Sequence, residues 1–325
     1  MAFPSGPSSA IDDYRGHALR LRMETSAHFP IRDYDLAATL TSGQAFRWRQ
    51  FNGKWEAVIH GRWVQLEQVT PDSIIATVNA PTADWTWLQS YLRLDADHDA
   101  MLATFPDDEP LRIANAHCRG LRLLRQEAWE CLASFILSST KQIVQIQQCV
   151  ELLCERFGEP VPRGGASSEH RILISNGGTL PSCRYDPKTF SFPAATRLAA
   201  ATEAELRACK MGFRAKYLLA AAQMVASGEL NLDSLSNLPL DAARAELMRC
   251  PGVGRKIADC VLLFSCGHDA AFPIDVWVER ALQQLYFPKR RARRARLEHF
   301  AATHFGPHAG LAQQYLFHYL RTRGK

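Results

Sequence analysis

The chain lacks any apolar run near the roughly 18 residues of a membrane-spanning helix. Its opening stretch, MAFPSGPSSAIDDYRG, lacks the apolar core of a signal peptide and reads as a loose tail. Both absences point to an intracellular protein, in a bacterial cytoplasm or a nucleus, with no membrane partner. There is no C-x-x-C pair among its nine cysteines (118, 131, 149, 154, 183, 209, 250, 260 and 266), and their number is odd. That argues against a zinc ribbon and a disulfide framework. None follows Cys266, so a C-terminal four-cysteine iron–sulfur loop is excluded. Acidic residues are missing from Lys289–Arg296 (KRRARRAR), whose six positive charges exceed the net +5 of the whole chain. The basic balance is therefore local, suited to phosphates on a nucleic-acid backbone or to a solvated arginine-rich face.

What is present is ordinary globular composition, 47% apolar and 22% charged over 325 residues, enough for one large or two medium domains. Residues 1–30 read as tail. From about Asp33 to Val78 the signals are those of strands: QAFRWRQF, the hairpin pair Asn52-Gly53, KWEAVIH, then WVQLEQV and IIATV. An antiparallel-sheet domain over 31–122 follows. Near Gly120–Arg125 the pattern turns helical: Ala128, Cys131, Leu132, Phe135 and Ile136 mark one buried stripe, and Ile143, Ile146, Val150, Leu153 and Phe157 the next. A Pro/Gly/Ser-rich break spans Glu159 to about Pro187. The fold class predicted is α+β, the sheet domain followed by an all-helical body over 123–325.

Within that body, Asp241 is placed to cap a short Ala-rich helix that stops at Cys250-Pro251-Gly252, and a second helix opens at Val253-Gly254. The turn is neither a P-loop nor a dinucleotide fingerprint. One residue separates its glycines, Ile257 follows the lysine, and no strand precedes it. Its open amides suit a DNA phosphate at Gly252 and Gly254. A lysine in the first turn of a helix is poorly placed as a cation, since that end already carries partial positive charge. Lys256 is therefore either wasteful there or wanted as a neutral amine. Nineteen residues on, Pro273-Ile274-Asp275 ends a loop before VWVERALQQLYF, which reads as a new helix, so that Asp275 would cap it as a carboxylate.

The helix, Gly-x-Gly hairpin and helix, with a downstream aspartate, resemble the helix–hairpin–helix DNA glycosylase superfamily. Six stretches in order, SGQAFRW, GLRLLRQEAWECLASFILSS, MGFRAKY, PGVGRKIADC, FPIDVW and GLAQQYLF, resemble its eukaryote-type 8-oxoguanine DNA glycosylases, from about Asp33 to Arg321. The resemblance implies excision of 8-oxoguanine from duplex DNA, opposite cytosine, by base flipping and a Schiff base on Lys256, followed by strand nicking. Asp275 would steady the sugar's positive charge. Gly43 would accept the lesion's N7 hydrogen, Cys260 and Phe317 would sandwich the base, and Gln313 would bond its Watson–Crick edge. Phe213 would fill the emptied stack and Arg214 would meet the opposite cytosine. Carbonyls of Met248, Cys250 and Val253 would hold a structural monovalent cation; no other cofactor and no iron–sulfur cluster is implied, and a monomer is expected.

Two departures stand out. Thr140, Lys141, Gln142 and Gln145 occupy positions where the family uses asparagines and an arginine against the opposite cytosine, and Trp277 stands where a phosphate-binding histidine is expected. The Lys289–Arg296 run would add backbone contacts. From the residues alone, two alternatives stay open: a glycosylase for an alkylated or formamidopyrimidine base, and a non-catalytic DNA-binding module.

Overall fold

The computed structural model describes residues 24–138, 142–163, 189–289 and 291–323. Its first layer is a five-stranded antiparallel sheet in the order β1-β5-β4-β3-β2, with β1 Thr25–Pro30, β2 Arg49–Phe51, β3 Lys54–Ile59, β4 Arg62–Thr70 and β5 Ser73–Val78. Asn52 and Gly53 both take positive φ, as a tight two-residue turn requires, and pair Phe51 with Lys54. Along β5, Ile74, Ala76 and Val78 alternate inward and are fully buried. They pack against helices α1 Leu36–Thr41 and α2 Thr86–Leu92 through Leu36, Leu40, Leu88 and Leu92.

The structure departs from the sequence-based expectation at three places. The tail 1–30 ends sooner than expected, because Thr25–Pro30 forms β1 and pairs with β5 through six residues. The strand expected from Gln44 begins only at Arg49; residues 44–48 are a buried connection, and α1 precedes them. Helical structure starts well before Gly120, with α2, α3 His98–Leu102 and α4 Glu109–His117. Each of these three has nine residues or fewer, so none shows a long apolar period.

The body continues with α5 Ala128–Leu137, α6 Ile143–Phe157, a two-stranded ladder of β6 Pro160–Val161 and β7 Thr189–Phe190, then α7 Ala195–Ala199, α8 Glu203–Leu206 and α9 Ala215–Ala226. It closes with α10 Leu240–Met248, α11 Arg255–Val261, α12 Val276–Leu285, α13 Arg294–His304 and α14 Ala309–Thr322. A single buried stripe was expected on α5. Eight of its residues are buried instead, Ala133, Ser134 and Leu137 among them, because the other helices surround it. The break expected over Glu159–Pro187 lies mostly outside the described residues. The eight described cysteines are all buried free thiols. No helix among the described residues is long and apolar enough to cross a membrane.

Candidate active site

Helices α10 and α11 meet at residues 249–254. Asp241 does not cap α10, which starts one residue earlier, after Pro239. It pairs instead with Arg244, whose Nε also donates to Asp259 on α11 at 2.7 Å. Asp259 is buried, so this bridge pins the two helices together across the turn. Burial raises the Asp259 carboxyl pKa against the pull of Arg244. Gly252 adopts φ +82°, and a Cβ there would stand 2.5 Å from the Tyr217 ring, which leaves glycine alone at that position. Gly254 is the extended N-cap of α11, with open space where a Cβ would point. The Val253 N–H closes the turn on the Cys250 carbonyl at 3.0 Å, beside the C-terminal end of α10 at Met248.

Lys256 is the second residue of α11, as its position after the turn predicts. Its Nζ donates to Ser138 Oγ at 3.1 Å and lies 5.1 Å from the Phe135 ring centroid. Asp275 caps α12. Its Oδ1 accepts both capping bonds, from the N–H groups of Trp277 (2.9 Å) and Val278 (2.8 Å), which leaves Oδ2 for other partners. The loop before it is held from behind: Arg294 donates to the Ile274 carbonyl at 2.6 Å and bridges Glu298 at 2.8 Å. The half-exposed Arg294 is thus tied to the body, and Arg296 stacks on Phe287 at 5.0 Å. Arg291 and Arg293 remain exposed, whereas Arg290 lies outside the described residues.

Lys256 and Asp275 line one cavity of about 380 Å³, together with Gly43, Cys260, Gln313, Phe317 and Trp277. Its aromatic floor is Phe46, Phe135 and Phe264, with Phe135 and Phe264 stacked at 5.6 Å. Gly43 enters from the sheet domain with φ +84°, and a Cβ there would stand 3.0 Å from Ile143 Cδ1 and 3.5 Å from the Phe317 ring. Its loop is fastened on both sides. The Gln44 amide donates to the carbonyls of Thr39 and Arg122 and accepts from the Leu124 N–H, and Gln314 donates to the Ser42 carbonyl at 3.0 Å.

Gln313 is only 4% exposed, and its Oε1 has no hydrogen-bond partner. A buried acceptor left unpaired costs about 1–3 kcal/mol, and this one belongs to a residue that lines the cavity. Burial pushes the Cys260 thiol up to about 12, which keeps it neutral beside Lys256. The cavity therefore brings together a lysine amine, a carboxylate, a thiol, an aromatic ring and an unpaired amide acceptor.

The remaining site candidates lie outside this lining. Phe213 is 52% exposed on the turn before α9, and the Arg214 guanidinium covers its ring at 4.4 Å. Arg214 itself is buried. Trp277 stands at the mouth with the Arg280 guanidinium 5.0 Å from its ring. Thr140 lies outside the described residues. Ser138, the floor aromatics and Arg321 were not singled out from the sequence. Ser138 could have been, since it lies in the FILSS stretch, two residues before the positions that depart from the family.

The chain matches two family models: the N-terminal domain of 8-oxoguanine DNA glycosylase over residues 27–132, and the HhH-GPD superfamily of base excision DNA repair proteins over 133–304. The N-glycosylase/DNA lyase of Saccharomyces cerevisiae is 31% identical over 277 residues, 77% of this chain and 68% of the yeast protein. A structure of MBOgg1 with a low-affinity DNA ligand is 34% identical, with a TM-score of 0.80, covering 93% of this chain and 97% of that one. The Clostridium acetobutylicum 8-oxoguanine glycosylase/lyase, bound to duplex DNA with cytosine opposite 8-oxoguanine, is 28% identical, with a TM-score of 0.76, covering 91% and 97%.

Proposed function

The chain belongs to the HhH-GPD superfamily of base excision DNA repair proteins, and we propose from that premise that it is a bifunctional 8-oxoguanine DNA glycosylase and abasic-site lyase. The observation that carries the reading is the shared cavity of Lys256, Asp275 and the unpaired Gln313 acceptor. The damaged nucleotide leaves the stack and enters between Phe317 and Cys260. The lesion's N7–H donates to the Gly43 carbonyl, and its Watson–Crick N–H donors meet Gln313 Oε1. Guanine presents an acceptor at N7 and would face that carbonyl lone pair to lone pair, which rejects it. Phe213 fills the gap in the duplex, with Arg214 beside the opposite cytosine.

The Lys256 amine attacks C1′ as the N-glycosidic bond breaks, and the base departs carrying the bonding electrons and takes up a proton. Asp275 Oδ2 faces the positive charge that builds on the sugar. After proton loss and ring opening the lysine nitrogen forms an iminium. Loss of a C2′ proton then expels the 3′ phosphate and nicks the strand. The carbonyls of Met248, Cys250 and Val253 suit a monovalent cation at the negative end of α10, where it would meet a backbone phosphate. The Cys250 oxygen retains a lone pair beyond the bond from Val253. This site takes no part in the chemistry. The protein acts as an intracellular monomer on duplex DNA.

A panel of duplexes carrying 8-oxoguanine, formamidopyrimidine, an alkylated adenine or undamaged guanine opposite cytosine tests the reading under single-turnover conditions. 8-Oxoguanine should be released fastest and guanine not at all. Preference for the alkylated base, or binding without release of any base, would overturn it.

A further inference from the structure

Arg321 lies one turn beyond Phe317 on α14 and lines the same cavity. Its guanidinium covers the Phe317 ring at 5.0 Å, and Nη1 stands 3.3 Å from where a Cβ on Gly43 would be. It is half-buried, and burial lowers its pKa while the charge of Asp275 opposes that shift. Yet among the described residues nothing accepts a hydrogen bond from it. The contrast with Arg294 is sharp, since that guanidinium serves two carboxylates and a carbonyl behind the same cavity. Arg321 is a planar set of five donors, drawn partly out of water, held against one aromatic face and left without an acceptor.

Its neighbour decides which acceptor fits. Gly43 is the residue proposed to read N7–H, and in 8-oxoguanine the atom next to N7 carries the O8 carbonyl. A base docked on Gly43 through N7–H therefore presents O8 to the guanidinium beside it. The geometry points to Arg321 as a specificity-determining residue that donates to O8 of the extruded base, an assignment that rests on the 8-oxoguanine reading above. Gly43 and Arg321 then read the two features that guanine lacks, a donor at N7 and an acceptor at C8. Stacking on Phe317 keeps the arginine in place before the base arrives, so little side-chain freedom is lost on binding.

The test compares wild type with Arg321→Gln and Arg321→Met on two duplexes, one with 8-oxoguanine and one with a tetrahydrofuran abasic analogue, each opposite cytosine and at several salt concentrations. A lost charge-assisted bond to O8 should cut affinity and single-turnover excision on the lesion duplex by about 10- to 100-fold. Affinity for the abasic duplex and its salt slope should stay within about twofold of wild type. Equal weakening on both duplexes, with the salt slope reduced by about one, would mean a phosphate contact instead and overturn the assignment. No change on either duplex would reduce Arg321 to packing and overturn it as well. Methionine preserves the stacked volume, so it carries the test if the glutamine variant does not fold. A wild type that fails to release 8-oxoguanine overturns the function itself; indifference of the variants in an active enzyme overturns only the role of Arg321.

Discussion

Replacing Asp275 by asparagine separates its two jobs. Both capping bonds fall on Oδ1 and come from backbone N–H groups at 2.8 and 2.9 Å. An asparagine carbonyl oxygen accepts the same two bonds, and asparagine caps helices about as well as aspartate. The fold should therefore keep its stability to within about 0.5–1 kcal/mol, the share owed to a charge at a helix N-terminus. Excision should fall by about 100- to 1,000-fold, or about 3–4 kcal/mol, the usual loss when an electrostatic partner of the transition state is removed. Alanine loses the cap too, at about 1 kcal/mol, and should melt about 2–4 °C lower. Single-turnover release of 8-oxoguanine beside thermal melting of the three proteins decides the matter. An asparagine variant that excises within about fivefold of wild type would refute the charge as the catalytic contribution. One that melts as low as the alanine variant would refute the cap.

Gly43→Ala forces a left-handed φ on a residue with a Cβ at about 1–2 kcal/mol and crowds Ile143 at 3.0 Å. Because the displaced peptide faces the base, excision should fall by about 100-fold, and a wild-type rate would remove Gly43 from base recognition. Asp259→Ala leaves Arg244 buried with only the exposed Asp241 as partner, and should lower urea-unfolding stability by about 3 kcal/mol. A shift below about 1 kcal/mol would show that this bridge does not hold the hairpin. His98 is buried against the Tyr315 hydroxyl, and burial lowers its pKa from 6.5 to about 3. The unfolded chain binds a proton that the folded one refuses, so this contribution is complete above about pH 6.5 and lost as pH falls toward 3. Its slope is at most about 1.4 kcal/mol per pH unit. Urea unfolding at pH 7 and pH 5 should show a smaller pH dependence for His98→Gln, and an unchanged one would count against this account.

The parts of the site that could be read from the sequence are those made by local chain geometry. A proline-glycine turn before an amphipathic run fixes where Lys256 falls on α11. The Pro273-Ile274-Asp275 break fixes the cap of α12 in the same way. The parts that could not be read depend on distant partners. Thr25–Pro30 buries only Phe29, so its own pattern is weak, and it becomes a strand because β5 offers an edge. Asp241 has the composition of a cap, but Pro239 starts the helix earlier and Arg244 captures the carboxylate. Arg294 sits in a run that reads as solvated charge, and only the placing of α13 beside the Asp275 loop brings its guanidinium onto the Ile274 carbonyl. Arg321 carries no local signal, because what matters about it, a place beside Gly43 from almost the other end of the chain, exists only after the sheet domain and the last helix meet.

The most direct test of the central claim is borohydride trapping on a labelled duplex carrying one 8-oxoguanine opposite cytosine, with wild type, Lys256→Gln, and a guanine control. A covalent protein–DNA adduct and a nicked strand should appear only with the lesion and only with Lys256 intact. An adduct that survives in Lys256→Gln would assign the Schiff base to another amine. Wild type that releases the base but traps nothing, on this duplex or on an abasic one, would contradict lysine chemistry altogether.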